Sequence, residues 1–570
     1  FSGNGNDFTS SGLTTADQML DTPTNNFPTF SPINLDSVTL SNGNLFCGSA
    51  GYWSGAAATM SIPTTGKWYI ETLVGNRFGS YMGQGFAPTN YGRVTEWSEA
   101  IYYGAADAAV TPNYGLGMTR GDTFGFYAAS GTTIATVKEP DGSTIYSTNN
   151  LYICHAIDLD NERYWVGTAF TTDSSVTWFG PSGSGADPET PSTGLDISSY
   201  LATYGDYGLT FFHGPNATSA LPSATVDFGQ SGYTFTKPTG YSELCTANLP
   251  APTIKDGSAY FQTTLYTGNG NQTQTITQSE NSTFNPDFIW IKNRSNAYSH
   301  NLNDAVRGYT GASPATAADV KVLASNATDP EGLGDTLTTA QQRGFVQSST
   351  SNGFIVNKGT AGSQDGFYTN ASGHTYAAWQ WLAANGTASN TNGSITSTVS
   401  ANTTAGFSIV EYLSNNTAGS TVGHGLSQAP DFIITKNQDD SRNWGVYHSA
   451  VGATKAFSLN STGAASTSSI YYNNTQPTAS VFSLGANAGE TNYPASDNFI
   501  AYCFHEVEGF SKFGSFTGNN SLNGPFIYTG FKPAFVIAKR SDSTSDWFML
   551  DNQRPAYNVI GGGGVGQLPT

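Results

Sequence analysis

Between about residues 51 and 250, short runs of alternating apolar and polar residues are separated by Gly-, Asn- and Asp-rich turns. The alternation is clearest in residues 66–74, where one face at period two carries Trp68, Ile70, Thr72 and Val74. Similar runs occupy residues 121–127 and 221–229. Such runs are typical of a β-sandwich or a β-barrel. Residues 1–45 are polar and turn-rich, which predicts an extended lead-in.

A second pattern follows the Pro-containing linker at residues 249–252. An apolar run without alternation occurs three times, at residues 284–292, 427–436 and 531–539. In each copy a proline precedes a lysine by six positions, and an aromatic or imidazole side chain follows the lysine by eight. These positions are Pro286, Lys292 and His300 in the first copy, Pro430, Lys436 and Trp444 in the second, and Pro533, Lys539 and Trp547 in the third. The chain therefore contains an internal repeat.

Each repeated position has an architectural interpretation. Proline fixes φ and removes a hydrogen-bond donor, so it is expected where an apolar strand begins. A run such as Phe-Ile-Trp-Ile has no polar face, which predicts a central strand buried on both faces. Each lysine is expected to end its strand at the surface. We favour a structural role for these positions, with a repeated ligand pocket as the alternative.

The copies share further features. Each is expected to begin with a short strand and an Asn-containing turn, at residues 266–269, 412–415 and 516–519, and the first two close with aromatic strands at residues 376–381 and 499–504. The third has no closing strand before four glycines at residues 561–564, so the chain is expected to end inside a repeat. The predicted organisation is a lead-in (1–45), a β-sandwich (46–250), repeat 1 (251–400), repeat 2 (401–508) and the start of an incomplete repeat 3 (509–570).

Composition narrows the fold class. Charged residues are 11% of the 570 residues, where soluble domains carry roughly 25%, so little material remains for exposed helices. The 65 Gly, 30 Tyr and 34 Phe favour strands and tight turns. The predicted class is all-β, with an N-terminal β-sandwich followed by tandem repeated β-sandwich-like domains.

Charge and cysteine spacing exclude several classes of partner. The net charge is 22 − 41 = −19 without a basic cluster, so nucleic acid is not an expected partner. No run of about 18 apolar residues exists, so membrane insertion is not expected. No metal is expected, because no pair of the seven His residues has metal-ligand spacing and the same holds for the four cysteines: Cys47, Cys154, Cys245 and Cys503. No cofactor is expected either. Buried free thiols are favoured, with a disulfide such as Cys47 to Cys245 as the alternative.

Sequence signals for catalysis are weak. Residues 425–429 approach a nucleophile elbow but lack its second glycine. Residues 158–162 resemble the start of a calcium loop without its glycine and distal glutamate, so a hairpin turn is favoured. Glu506 and Glu508, two apart on a predicted strand, are a weak candidate for a glycosidase pair. We expect a protein that is not an enzyme, with glycan hydrolysis as the alternative.

An insertion at residues 91–103 is the best candidate for recognition. It brings aromatic, basic and acidic side chains into a predicted loop at the rim of the sandwich: Tyr91, Arg93, Trp97, Glu99, Tyr102 and Tyr103. Rim loops on a β scaffold often carry recognition, and Tyr and Trp offer flat apolar faces with polar edges. Contact with a receptor or glycan is one interpretation, and packing in a subunit or domain interface is the other.

The first domain resembles a SPRY domain, a two-sheet concanavalin-like β-sandwich. The residues that carry this resemblance are the strand at 66–74, the turn and strand at 121–125, residues 157–161 with 164–167, and the closing residues 226–229. The whole order resembles tail-fibre or tail-associated virion proteins of marine bacteriophages. Here the matching segments are residues 21–26, Ala-Trp-Gln-Trp-Leu at 378–382, Gly-Phe-Ser-Ile-Val at 406–410, and residues 509–519.

This resemblance implies a structural protein on the outside of a phage particle, in the tail. It implies a tail-fibre or receptor-binding component that attaches the particle to the host cell surface. The expected partners are other tail or baseplate proteins and a host surface glycan or protein, and the expected state is a homotrimer. The alternatives are a head fibre or capsid decoration protein, and a polysaccharide-degrading tail spike.

Overall fold

The computed structural model describes most of the chain, and two compact units divide it. The described residues are 25–36, 38–49, 55–75, 81–88, 116–120, 124–128, 132–137, 151–204, 209–216, 223–311, 319–332, 343–360, 362–518, 527 and 529–554. Unit 1 comprises Phe1–Ala251 and Ser515–Tyr528, and unit 2 comprises Pro252–Gly514 and Thr529–Thr570.

The regular secondary structure in the described part of unit 1 is mostly β-strand. They are β1 (Phe30–Asp36), β2 (Val38–Ser41), β3 (Phe46–Ser49), β4 (Gly55–Ile62), β5 (Lys67–Gly75), β6 (Tyr81–Pro88), β7 (Leu116–Arg120), β8 (Phe124–Ala128), β9 (Thr132–Val137), β10 (Leu151–Asp158), β11 (Arg163–Phe170), β12 (Thr177–Gly180), β13 (Gly183–Ser184), β14 (Leu195–Asp196), β15 (Leu209–Asn216), β16 (Ser223–Asp227) and β17 (Ser242–Glu243). Helix α1 (Ser198–Tyr204) and a 3-10 turn at Pro191–Thr193 lie between β13 and β15.

These strands form two sheets that share one core. One sheet has the order β1-β4-β15-β6-β7-β8-β9, and the other follows β13-β12-β11-β10-β5-β16-β3-β2, with β14 beside β11 and β17 beside β5. Phe86 and Phe211 of the first sheet and Ile70 and Ile153 of the second belong to the same buried cluster. Two sheets on one core form a β-sandwich. The prediction of an N-terminal β-sandwich is confirmed.

Strand β5 shows what the alternating pattern encodes. Trp68 and Ile70 lie in the core between the sheets. Tyr69, on the opposite face, is also buried, against Cys154 and Trp165. Because β5 pairs with β10 on one edge and β16 on the other, it is a central strand with both faces covered.

The turn at residues 158–162 is a hairpin turn, as expected. Strands β10 and β11 pair directly on either side of it, from Leu151 opposite Phe170 to Asp158 opposite Arg163. The Asp158 carboxylate accepts hydrogen bonds from the backbone and the side chain of Asn161, at 3.0 and 2.8 Å. It also lies 2.8 Å from the Lys67 ammonium. The carboxylate therefore closes the turn.

The four cysteines are buried free thiols, as the sequence favours. Cys47 and Cys245 both belong to the core of the sandwich, and no disulfide joins them. Burial raises the pKa of the Cys47 thiol to about 12, because an apolar environment disfavours the thiolate.

Unit 2 is also built of strands. They are β18 (Phe261–Thr267), β19 (Thr273–Thr277), β20 (Phe288–Asn293), β21 (Asn301–Asp304), β22 (Phe345–Thr350), β23 (Gly353–Asn357), β24 (Thr375–Trp381), β25 (Ala388–Asn390), β26 (Ser397–Asn402), β27 (Phe407–Leu413), β28 (Ser420–Gly423), β29 (Phe432–Asn437), β30 (Gly445–His448), β31 (Lys455–Ser458), β32 (Ser466–Thr467), β33 (Val481–Leu484), β34 (Asn498–Phe504), β35 (Phe535–Lys539) and β36 (Trp547–Asp551). Helix α2 (Ser469–Tyr472) and 3-10 turns at Gly257–Ala259 and Gly362–Gln364 complete the described elements.

The sheets repeat one topology. We call strands β18 to β24 repeat 1, β25 to β34 repeat 2, and β35 with β36 repeat 3. Repeat 1 has the sheets β18-β24-β20-β21 and β19-β23-β22, and repeat 2 has β25-β26-β27-β34-β29-β30-β31-β32 and β28-β33. The order β27-β34-β29-β30 matches β18-β24-β20-β21, and a separate core lies between the two sheets of each repeat. Tandem repeated β-sandwich-like domains are confirmed, while the individual boundaries stay predictions; the one at residue 400 falls inside β26.

The first two copies of the apolar run form central strands, whereas the third, β35, pairs only with β36 among the described residues and is not fully buried. Strands β20 and β29 are buried at all six positions, and each has a partner on both edges. The register is the same in the two repeats: Phe288 lies opposite Trp381 and Asp304, and Phe432 lies opposite Phe504 and His448. A strand between two neighbours in a covered sheet needs apolar residues on both faces, which explains the run without alternation.

One further core joins the three repeats. Aromatic rings connect each pair of repeats. The ring centroids lie 4.3 Å apart between Phe288 and Tyr502, 6.0 Å apart between Phe535 and Trp379, and 5.7 Å apart between Phe457 and Trp547. Because each repeat contacts both others through buried side chains, the described repeats of unit 2 form a single body rather than a row of independent domains.

Two expectations are wrong at the level of single elements. Residues 512–518 carry no strand, although a strand was expected at the start of the third copy. Strands β18 and β27 pair along β24 and β34, and the described residues supply no equivalent closing strand for 512–518. Glu506 and Glu508 are not on a strand, because β34 ends at Phe504.

Within the described part of the chain, no helix has the length and apolar character needed to cross a bilayer.

Candidate functional site

The sequence predicts recognition by the loop at residues 91–103. Its six candidate residues, Tyr91, Arg93, Trp97, Glu99, Tyr102 and Tyr103, lie outside the described residues. The receptor or glycan contact stays a prediction. The repeated prolines, lysines and aromatic residues all fall within the described part, and they form the candidate site discussed below.

The three prolines lie at equivalent places. Pro286, Pro430 and Pro533 each stand two residues before the first residue of β20, β29 and β35. In repeats 1 and 2 the next residue is an aspartate that binds the chain leaving the closing strand. Asp287 accepts hydrogen bonds from the backbone N–H of Ala383 at 2.7 Å, and Asp431 accepts one from Glu506 at 2.9 Å.

Two of the lysines are buried, which corrects the expectation that each ends its strand at the surface. Lys292 is 7% exposed and Lys436 is fully buried. Burial lowers the pKa of each to about 8. The reason lies in the chain just beyond: the side chains of Asn293 and Asn437 turn the backbone over each lysine by accepting hydrogen bonds from N–H groups two and three residues later.

The junction between repeats 1 and 2 uses Lys436 and Trp444. The Lys436 ammonium donates to the carbonyl of Thr328 in repeat 1 at 3.2 Å, and to two carbonyls of its own repeat. The Trp444 indole N–H donates to the carbonyls of Ala324 and Ala327 at 2.9 and 3.2 Å. Both side chains are fully buried. Backbone carbonyls of one repeat therefore satisfy buried donors of the next.

The junction between repeats 2 and 3 has the same construction. Lys539 donates to the carbonyl of Thr462 at 3.0 Å, and the Trp547 indole N–H donates to the carbonyl of Ser458 at 3.2 Å. Lys539 is half-buried, so this lysine is nearer to the predicted surface position than the other two.

The acceptor loops share a motif that the sequence analysis missed. Residues 321–328 and 455–462 both read Lys-x-(Leu/Phe)-x-x-Asn-x-Thr. The motif asparagine accepts a hydrogen bond from the backbone N–H of the residue eight after the repeated lysine: Asn326 from His300 at 3.0 Å, and Asn460 from Trp444 at 2.9 Å. Each loop is thus fixed to its own repeat and presents its carbonyls to the next.

In repeat 1 the equivalent side chains are Lys292 and His300, and they donate fewer hydrogen bonds. The Lys292 ammonium donates to the Tyr298 carbonyl at 2.5 Å. His300 Nδ1 accepts a hydrogen bond from the Trp290 indole at 2.7 Å, so a neutral His300 has its proton on Nε2. That buried N–H has no hydrogen-bond partner. Burial, and then the positive charges of Lys292 and Arg554, hold the pKa of His300 well below its usual range.

A second contact links repeats through an Asp–Arg pair. In repeat 1, Asp304 lies 2.6 Å from the Arg307 guanidinium and accepts a hydrogen bond from the Tyr502 hydroxyl of repeat 2 at 2.8 Å. In repeat 3, Asp551 and Arg554 form the equivalent pair. Asp551 accepts a hydrogen bond from the Trp379 indole of repeat 1 at 3.1 Å. The Asp–Arg pair of repeat 3 therefore binds a side chain of repeat 1 in the same way that the pair of repeat 1 binds a side chain of repeat 2.

Most of these groups take part in hydrogen bonds within and between the repeats. Apart from the His300 Nε2–H, these buried donors and carboxylates form hydrogen bonds with backbone or with each other. Glu506 pairs with Lys512 at 2.6 Å. Among the described residues, no group of three or more His, Cys, Asp or Glu side chains is placed to hold a metal ion.

Comparison with known proteins gives a family and similar folds. No curated protein sequence matches the chain. Similar solved structures include the SPRY domain of human HERC1 (8% identity, TM-score 0.21, 35% of this chain and 96% of that chain) and metal-free lectin I-B4 from Griffonia simplicifolia (11% identity, TM-score 0.23, 36% and 91%). Arcelin-5, a lectin-like defence protein from Phaseolus vulgaris, is a third (10% identity, TM-score 0.24, 36% and 96%).

The family match covers the repeats. Residues 256–565 match the family described as a domain of unknown function, DUF7483. This segment is more than half of the chain and includes all three repeats. The chain therefore belongs to the DUF7483 family.

Proposed function

We propose that the protein is a structural component of a bacteriophage particle, a tail-fibre or receptor-binding component that attaches the particle to its host without catalysis. The observation that carries the proposal is the way in which the repeats are joined. Buried Lys and Trp donors of one repeat bind carbonyls of another, around one core drawn from all three. Such a body suits a protein that holds its shape outside a cell.

The sequence supports the same proposal. The order of lead-in, sandwich and repeats resembles tail-associated virion proteins, and only 11% of the residues are charged. Attachment then falls to the loop at residues 91–103, with a host surface glycan or protein as its ligand. Tyr and Trp side chains suit either ligand because they combine a flat apolar face with a polar edge.

The first experiment asks whether the protein is in the particle, and where. Mass spectrometry of purified virions should detect it, and antibodies against residues 260–560 should label the tail in electron micrographs. Labelling of the head would instead support a head fibre or decoration protein. Absence from the particle would refute the proposal.

The second experiment tests attachment. Purified protein should bind host cells, and Trp97→Ala should weaken this binding at least tenfold. Ile470→Ala is the control, because Ile470 is an exposed apolar side chain in unit 2. Equal losses in the two variants would contradict a role for the loop. Release of reducing ends from host capsule or lipopolysaccharide would indicate a degrading tail spike.

The third experiment addresses the expected homotrimer. Light scattering at micromolar concentration should give three times the mass of one 60.1 kDa chain. A stable monomer would contradict this part of the proposal.

A further inference from the structure

The outer face of the β35–β36 hairpin is apolar and exposed. Val536 and Phe548 are each 39% exposed and Leu550 is 48% exposed. They lie next to one another, since Val536 is the register partner of Leu550 and Ala538 that of Phe548. Adjacent exposed apolar side chains on one hairpin commonly mark a site of interaction.

The equivalent face is covered in the other two repeats. Ile289 and Ile433 occupy the position of Val536 and are fully buried. In repeat 1 the cover is the sheet β19-β23-β22, and in repeat 2 it is β28-β33. The described residues of repeat 3 include no second sheet. Repeats 1 and 2 thus show that β-structure packs against the equivalent of the exposed face of the β35–β36 hairpin.

The edge of β35 is also open in the described part of the chain. Strands β20 and β29 pair on one edge with β21 and β30, and on the other with the closing strands β24 and β34. Strand β35 pairs with β36 alone. A strand with an unpaired edge presents a row of backbone donors and acceptors to which another strand can bind.

The inner face of the β35–β36 hairpin is fixed by packing and by hydrogen bonds. Trp547 and Met549, on its inner face, are 5% and 2% exposed in the core shared by the repeats. The Arg554 side chain donates to the Asp551 carboxylate and the Met549 carbonyl. Because the inner face is fixed, little ordering of β35 would be needed when a strand binds.

We propose that the open edge of β35 binds an extended strand of another polypeptide, of the kind that β24 and β34 supply. The two closing strands share an aromatic residue at positions 376 and 499, alanine at 378 and 501, and further aromatic residues at 379 and 502 and at 381 and 504. The bound strand would pair with β35, placing aromatic side chains toward the core shared by the repeats and a smaller residue toward Val536.

A separate polypeptide fits this site better than a strand tied into the repeat in the manner of β24 or β34. In repeats 1 and 2 an aspartate before the central strand binds the chain that leaves the closing strand. Ala534 stands at that position in repeat 3. Without the carboxylate, the pairing along β35 and the apolar face must provide the binding.

The test uses the full chain and a synthetic peptide with the sequence of residues 496–506, carrying Cys503→Ser and a fluorescein label. We expect saturable one-to-one binding by fluorescence polarisation, and amide exchange in β35 at least tenfold slower with the peptide bound. Val536→Lys and Leu550→Lys should weaken binding at least tenfold. Ile470→Lys, at a side chain 44% exposed on α2, should leave it unchanged. A scrambled peptide should not bind.

Each other outcome overturns the proposal. No saturable binding, or equal binding to Val536→Lys, would exclude strand addition at this edge. A dimer that Val536→Lys dissociates would make a second copy of the chain the occupant. Slow amide exchange in β35 of a monomer without peptide would show that the chain covers its own edge. The experiment uses purified protein alone, so its result does not depend on the proposed place in a virion.

Discussion

Trp444 in repeat 2 and His300 in repeat 1 occupy equivalent positions among equivalent strands. They differ in the hydrogen bonds that their side chains make to another repeat. Each follows its repeated lysine by eight residues, and each backbone N–H is held by the asparagine of its own loop. Trp444 also donates to two carbonyls of repeat 1, whereas the His300 Nε2–H has no partner. The local fold of a repeat therefore does not require the junction. The junction is an added contact, made where another repeat presents its loop.

The largest expected contrast is between Trp444→Ala and His300→Ala. Removing a fully buried Trp leaves a cavity and takes the indole donor from the carbonyls of Ala324 and Ala327, for a loss of about 3–5 kcal/mol in the free energy of unfolding. His300→Ala removes one hydrogen bond with Trp290 and a ring smaller than that of Trp444. The expected loss in the free energy of unfolding is about 1–2 kcal/mol. Urea denaturation followed by circular dichroism measures both. Equal losses would mean that the junction adds nothing.

The lysines give the next contrast. Lys436→Met would leave three carbonyls without their shared donor, one of them from repeat 1, at a cost of about 2–3 kcal/mol. Lys292 donates to a single carbonyl, so Lys292→Met should cost at least about 1 kcal/mol less. Thermal and urea unfolding at pH 7 test the difference. A greater loss for Lys292→Met would reverse the comparison.

Acid should distinguish repeat 1 from the other repeats, because only repeat 1 has a titratable group at this position. The folded pKa of His300 is well below the unfolded value, so below about pH 6.5 the unfolded state binds more protons than the folded state. Stability from this group is complete well above that pH, and its loss approaches about 1.4 kcal/mol per pH unit well below it.

The variant His300→Asn isolates this effect, since the Asn carbonyl can accept the Trp290 hydrogen bond and does not titrate. Between pH 6.5 and 5.5, its free energy of unfolding should fall by about 1 kcal/mol less than that of the wild type, because the unfolded imidazole is already half protonated at pH 6.5. The other histidines titrate in both proteins and cancel. Parallel pH profiles would show that His300 is not held neutral in the fold.

The spacing of Pro286 and Lys292, and of Pro430 and Lys436, predicted the central strands β20 and β29, because an apolar run that starts after a proline leaves few alternatives to a covered strand. The same spacing could not predict that Lys436 is buried. Burial depends on Thr328, more than a hundred residues earlier in the chain, and on the turn made by Asn437. The sequence pattern of a strand shows which of its side chains are apolar. It does not show which loop of the folded chain will cover the end of that strand.

The acceptor loops were missed for a related reason. Ala324 lies 24 residues after His300, while Ser458 lies 14 residues after Trp444. A comparison at fixed spacing separates the two motifs, although Leu302 pairs with Leu323 as Val446 pairs with Phe457. The insertion in repeat 1 changes the distance along the chain and leaves the pairing unchanged. A search for Lys-x-(Leu/Phe)-x-x-Asn-x-Thr without fixed spacing would have found both loops.

The smallest expected effect is an equality. Asn326 and Asn460 each accept one backbone N–H and donate to the residue before it, Asn326 to Ser299 at 3.2 Å and Asn460 to Asn443 at 2.9 Å. Since these contacts lie within one repeat, Asn326→Ala and Asn460→Ala should each cost about 1 kcal/mol. Urea denaturation should place the two values within about 0.5 kcal/mol of each other. A much larger loss for one of them would mean that its loop acts mainly through the junction, because only then would release of the loop also free the donors of the next repeat.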